Sequence, residues 1–302
     1  KIDSPRKTEI SDSEEIIDDE SLITSEEVVV TLTNTGYIKR VPLNSYRSQK
    51  RGGKGRAGMT TKEEDFVNEV FVVNTLTPLL FFSSMGIVYK LKAHKIPSGS
   101  PTSKGKALVN LLPLRSGEKI TTTMPYNLSD KKNNIIFATS LGNIRRNKLN
   151  DFHNINANGK IAMKLKEKDS LVNVVVCSDR DNIFMSTRLG KCVRFSCKDL
   201  RVFSGRSSVG VRGVKLSDED SIISLAILNG FDFIVDERDE YLKICSAERK
   251  NEKFERETLD EKKFSLLKEN EEFILSVTDK GFGKRRVDIW EPEDDIYWGS
   301  EK

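Results

Sequence analysis

Short apolar runs rich in β-branched and aromatic residues recur along the chain. Each closes on two or three Ser, Thr or Asn-type residues and a glycine, then gives way to a run that mixes apolar and cationic positions. The form is seen in "VVVTLTNTGYIKRVPL" (28–43), "LLFFSSMGIVYKLKA" (79–93), "NIIFATSLGNIRRNKL" (134–149), "NIFMSTRLGKCVRFSC" (182–197) and "FILSVTDKGFGKRRVDI" (273–289). Each copy predicts a β-hairpin whose turn glycine supplies a positive φ. The strand before the glycine is nearly all apolar and predicts burial on both faces. The strand after it alternates, as in Val88, Tyr89, Lys90, Leu91, Lys92, which predicts one packed face and one face offering cations to solvent.

The reference glycines are Gly36, Gly86, Gly142, Gly190 and Gly281, spaced 50, 56, 48 and 91 residues apart. The last gap is nearly two steps, and "DFIVDERDEYLKICSA" (232–247) lies within it with Glu240 in the glycine's place. It is taken as a degenerate fifth copy. Six copies, near 28–78, 79–133, 134–181, 182–230, 231–272 and 273–289, predict a radial all-β architecture of repeated sheets. Behind the hairpins comes a second recurring element of Gly/Ser/Lys/Arg loops: "RGGKGRAGMTT" (51–61), "SPTSKGKALVNLLPL" (100–114), "INANGKIAMKL" (155–165) and "SGRSSVGVRGVKL" (204–216). The last three are expected to lead into apolar strands, and on a ring the loops would trace a basic belt. Residues 1–21 predict a flexible acidic lead-in, 22–289 the repeat domain, and 290–302 an acidic tail with Tyr297 and Trp298. Residues 248–273, rich in helix formers and Glu/Lys pairs, predict a helical or mobile insertion.

Charge sharpens this picture. The formal net charge is +4, yet residues 28–215 hold 33 Lys and Arg against 12 Asp and Glu, a net +21, while both flanks are acidic. A field of one sign over part of a chain attracts polyanions even when the whole is nearly neutral. The candidate cations are Lys39 and Arg40, Arg47, Lys50, Arg51, Lys54 and Arg56, Lys90 and Lys92, Lys104 and Lys106, Arg145, Arg146 and Lys148, Lys160, Lys191 and Arg194, Arg206 and Arg212, and Lys284 and Arg285. Any one pair on an exposed strand keeps a sheet edge soluble. Recurrence at the same phase points to duplex DNA, whose charge spacing of ~1.7 Å of axis lets regularly placed cations neutralise many phosphates without reading bases.

Other chemistry has little material. The four cysteines show no CxxC pairing and predict buried thiols, and His94 and His153 stand isolated, so neither a zinc site nor a histidine triad is expected. "GGKG" lacks the spacing and following helix of a phosphate-binding loop, and no paired catalytic carboxylates stand out. No catalytic site, metal or cofactor is expected in the chain. No apolar run is long enough for a membrane span or leader, so a soluble protein is expected.

The run Gln49, Lys50, Arg51, Gly52, Gly53, Lys54, Gly55 resembles the "QRRGGKG" box of the DNA gyrase A subunit, differing by Lys50 for Arg. With its setting, including "KEEDFVNEVFVVNT", "GKALVNLLPL" and "GVRGVKL", the similarity covers most of residues 22–229 and is to that subunit's C-terminal domain. The resemblance implies a six-bladed β-pinwheel, a propeller-like disc of four-stranded blades that wraps double-stranded DNA with positive handedness for ATP-driven negative supercoiling. It carries the wrapping role to Gln49 through Gly55. It further implies that Mg and ATP act elsewhere in the holoenzyme. Its partners would be the rest of the gyrase A subunit, together with the gyrase B subunit. The isolated domain would be a monomer, cytoplasmic and nucleoid-associated. The alternatives are a topoisomerase IV-type C-terminal domain and a propeller scaffold binding acidic protein partners.

Overall fold

The structure, a computed structural model, describes residues 22–46, 65–127, 134–230, 235–250 and 259–288. Lys50, Arg51, Lys54 and the rest of the 48–59 motif, with Arg47, lie outside the described residues, as do the acidic ends.

Four hairpins form where the pattern places them: β1 (Glu27–Thr33) with β2 (Tyr37–Pro42), β4 (Pro78–Ser83) with β5 (Ile87–Lys92), β8 (Asn134–Thr139) with β9 (Asn143–Lys148), and β12 (Asn182–Thr187) with β13 (Cys192–Ser196). The signature before each glycine has a physical cause. Thr33, Ser83, Thr139 and Thr187 each accept the turn glycine's N–H on their carbonyl, at 2.9–3.1 Å. Their hydroxyls accept the N–H of the residue after that glycine, at 3.1–3.3 Å. Gly36, Gly86, Gly142 and Gly190 all take positive φ, as the tight connection requires. The first strands β4 and β8 are buried along almost their whole length, as expected of inner strands.

A third strand flanks the first strand of each hairpin: β3 (Val67–Asn74), β7 (Ile120–Pro125), β11 (Leu171–Cys177) and β16 (Ile222–Leu228). Two residues ahead of three of these strands stands an aspartate that caps the neighbouring turn: Asp65 accepts from the Thr35 N–H, Asp169 from Leu141 and Asp220 from Leu189, all at 3.0 Å.

The fourth strand comes from the following repeat. β6 (Lys106–Ala107) pairs with β2, β10 (Lys160–Ile161) with β5, and β15 (Val211–Arg212) with β9, which also takes β14 (Val202–Phe203) in parallel. The loops therefore do not lead into long strands of their own repeat. They supply two-residue strands that close the sheet before them. The sheet of β13, β12 and β16 has three strands among the described residues.

The chain forms two compact units, one built from residues up to Leu79 with Leu91–Pro113, the other from Leu80–Lys90 with residues from Leu114 onward. In the second, Phe82, Phe137 and Phe152 stack edge-on or tilted with centroids 5.6–6.1 Å apart, within a core that includes Leu80, Ile135, Leu171 and Val174. A second core joins Ile136, Ile144 and Cys177 to Ile183, Met185 and Ile222. All four cysteines are buried.

Among the described residues four sheets repeat the blade pattern, not the expected six. The expected fifth copy is instead α1 (Val235–Lys250), followed by α2 (Glu261–Glu269). Glu240 cannot replace a turn glycine cheaply, and Tyr241, Ile244 and Cys245 bury at helical spacing against Phe264 and Leu267 of α2. Asp260 caps α2 by accepting from the Lys263 N–H at 2.6 Å. The last copy, β17 (Glu272–Val277) with β18 (Gly283–Asp288), keeps the turn of Thr278 and Gly281 and pairs as a two-stranded hairpin.

Candidate nucleic-acid interface

The candidate cations divide into three groups. Lys106, Lys148, Lys191, Arg212, Lys284 and Arg285 are exposed, while Arg40, Lys90, Lys92, Lys104, Lys160 and Arg206 are half-buried. Lys39, Arg145, Arg146 and Arg194 are buried, with Lys39 and Arg145 at 0 % exposure. The expectation that the second hairpin strand turns its cations to solvent therefore fails at these four.

At Lys39 and Arg145 the reason is the loop that carries the borrowed fourth strand, and at Arg146 it is a short turn further along the chain. Counting from the turn glycine, the third residue is Lys39, Tyr89, Arg145 or Val193, and the fourth is always a cation: Arg40, Lys90, Arg146 or Arg194. Arg40, Lys90 and Arg146 each reach the short 3-10 turn that follows the next hairpin. Arg40 Nε donates to the Ile96 carbonyl at 2.8 Å, just after the turn Ala93–Lys95. Lys90 Nζ donates to the His153 carbonyl at 2.7 Å, just after Leu149–Phe152. Arg146 Nη1 donates to the carbonyls of Cys197 and Leu200 at 2.5 and 3.2 Å and pairs with Asp179. Positive charge there meets the carbonyl-rich end of a helical turn.

At the third position the loop itself is the partner. Lys39 Nζ donates to the carbonyls of Ser100, Pro101 and Ser103 at 3.1, 2.6 and 2.8 Å, matching the three donors of an ammonium. Arg145 Nη1 donates to the carbonyls of Arg206 and Ser208 at 2.6 and 2.9 Å, and its Nη2 to that of Gly205. Burial lowers the pKa of Lys39, and burial, with the Arg206 charge second, lowers that of Arg145 to about 10 against an opposing Asp151. In the second sheet Tyr89 fills the position, its hydroxyl donating to the Glu118 carboxylate at 3.0–3.1 Å.

The outward side of these loops is basic. Lys104 Nζ lies 4.0 Å from the centre of the Tyr37 ring, and Lys106 is exposed on β6. In the second unit, Arg206 Nη1 donates to the Asp151 carbonyl at 3.2 Å while Arg212 stays exposed. Sequence reading missed a neighbouring group: Lys164, Lys166 and Lys168 are exposed. The Lys164 N–H donates to the Ser208 carbonyl, and Lys166 Nζ donates to Asn143, the strand partner of Arg212. The alternation in "KLKEK" was the available signal. Arg201, also not singled out, lies 4.3 Å from the Phe203 ring centre. Among the described residues no cluster of metal-ligating side chains occurs, and no helix is long and apolar enough to cross a membrane.

A model of the DNA gyrase C-terminal domain, a β-propeller, matches residues 27–74, 77–127, 133–178 and 181–229. These are the four hairpin repeats described above. The chain is 48 % identical over 293 residues to the DNA gyrase A subunit of Rickettsia bellii, covering 93 % of this chain and 32 % of that protein. It is 42 % identical over 309 residues to that of Granulibacter bethesdensis, covering 94 % and 33 %. The chain thus spans about a third of the length of these relatives. Among solved structures, it is similar to a DNA gyrase A C-terminal domain at 27 % identity and TM-score 0.53, covering 67 % of this chain and 65 % of that one. It is also similar to the C-terminal domain of a DNA topoisomerase IV, at 25 % identity and TM-score 0.60, covering 70 % and 64 %. With its four successive repeats matched, the chain belongs to the DNA gyrase C-terminal domain family.

Proposed function

We propose that this chain is the DNA-wrapping domain of a gyrase A subunit. It binds duplex DNA through phosphate contacts, bends it, and presents the wrapped segment to a holoenzyme of gyrase A and B subunits for ATP-dependent negative supercoiling. The observation that carries this reading is the +21 net charge of residues 28–215, the stretch that holds the repeated hairpins and their loops. Lys106, Lys148, Lys191 and Arg212 are among its exposed cations. Bending a 20–30 bp site costs on the order of 1–6 kcal/mol, which a row of phosphate contacts offsets. Mg and ATP chemistry belongs to other parts of that assembly. The domain alone is a monomer, and its setting is the cytoplasmic nucleoid.

A topoisomerase IV-type domain is the second reading, favoured by the higher TM-score of that neighbour. The intact Gln49–Gly55 motif favours the gyrase type. Replacing Lys50, Arg51 and Lys54 by alanine in the full-length protein tests the choice. A gyrase-type domain loses wrapping and supercoiling with little change in melting temperature. A domain of the other type keeps its activity, and a collapse of melting would make the motif structural. A scaffold for acidic proteins would instead bind acidic peptides tightly and duplex DNA negligibly.

A further inference from the structure

Lys39 and Arg145 lie in different sheets, yet each sits beneath an arch of the same design. The incoming limb runs parallel to the residue after the cation, Ser98 at Arg40 and Val202 at Arg146. The outgoing limb returns antiparallel on the residue before it, Lys106 at Ile38 and Val211 at Ile144. Between the limbs, three carbonyls of each arch turn inward onto the cation. A glycine at positive φ then brings the outgoing limb against the strand: a Cβ on Gly105 would lie 2.4 Å from the Ile38 carbonyl oxygen, and one on Gly210 would lie 2.3 Å from that of Ile144. Inward carbonyls need donors, and the buried head group supplies several at once, joined by the Ser103 hydroxyl at the Ser100 carbonyl and by Asn147 Nδ2 at the carbonyls of Phe203 and Gly205. The other sheets vary in step. Where Tyr89 replaces the cation, Gly159 closes over its ring, and where Val193 stands, no fourth strand lies on β13 among the described residues.

We propose that Lys39 and Arg145 are positioning residues for DNA binding. They do not touch the phosphates. They hold arches 98–106 and 202–212 in the shape that presents Lys104, Lys106, Arg206 and Arg212. This rests on the DNA-wrapping reading above and reassigns two residues whose charge alone suggested direct contact.

The test uses the whole chain and duplex DNA over a range of salt, because the slope of log affinity against log salt counts phosphate contacts at about 0.9 each. Lys39→Met is expected to lower the slope by up to about 1.8, the share of Lys104 and Lys106, while circular dichroism stays that of a folded chain. The combination Lys39→Met, Lys104→Ala, Lys106→Ala should lose no more slope than Lys104→Ala, Lys106→Ala. Lys39→Arg, which copies the arrangement at Arg145, should recover most of the loss. An unchanged slope in folded Lys39→Met, or a further unit lost in the combination, overturns the proposal. Should Lys39→Met not fold, amine-reactive labelling of the wild-type chain decides. Lys39 must resist the reagent with and without DNA, while Lys104 and Lys106 react in the free chain and are protected by DNA. A Lys39 that reacts in the free chain, or is protected only by DNA, overturns it. A wild-type chain with no salt-dependent DNA affinity would instead sink the wrapping reading, and the arches' role with it.

Discussion

Thr33, Ser83, Thr139 and Thr187 each stand three residues ahead of a glycine with φ between +73 and +85°, and each closes its turn with both carbonyl and hydroxyl. That chemistry is local and was legible in sequence. The destination of Lys39 and Arg145 was not, because their partners lie about 60 residues downstream. Two predictions belong at this scale. A Cβ added at Gly36 would meet nothing within 4 Å, so Gly36→Ala costs only the left-handed backbone, about 1–2 kcal/mol. Gly105→Ala adds a clash with the Ile38 carbonyl oxygen and should cost clearly more, read by urea unfolding. Equal costs would contradict the close approach. The Tyr89 pKa is pushed up to about 12, first by burial and then by the bond to Glu118. A folded value above the unfolded one means that the neutral hydroxyl stabilises the fold below pH 10 and that this contribution is lost as pH rises from 10 through about 12. Tyr89→Phe should flatten that part of the stability profile.

Hairpins were visible as elements because period-two burial and a turn glycine leave a strong mark over a dozen or so residues. The fourth strands were not, since β6, β10 and β15 are two residues long and carry no period of their own. The fifth copy misled because its two apolar runs fit a hairpin until Glu240 is seen one residue before Tyr241, on a helix face that packs against α2. Phe264→Ala removes a ring 5.3 Å from that of Tyr241 and is expected to destabilise the helix pair by about 3–5 kcal/mol. Hydrogen exchange should then lose protection over α1 and α2 while β8 and β12 keep theirs. Loss of protection in β8 would instead tie the helices to the folding of the sheets.

For the whole molecule, segregation of charge was the feature that pointed to a polyanion, and it needed no structure. Which cations can serve it did need one: the described residues leave Lys106, Lys148, Lys191 and Arg212 exposed and spend Lys39, Arg145 and Arg146 on internal carbonyls. Replacing Lys106, Lys148 and Arg212 together by alanine should weaken DNA binding, lower its salt slope by about 2.7, and leave stability within ~0.5 kcal/mol per site. The most direct measurement of wrapping is the linking number of closed circular DNA relaxed by a nicking-closing enzyme in the presence of the chain. Wrapping in one hand predicts a one-directional shift of the distribution that grows with the ratio of chain to DNA and fades as salt is raised. A distribution that stays centred while the chain is demonstrably bound would contradict it.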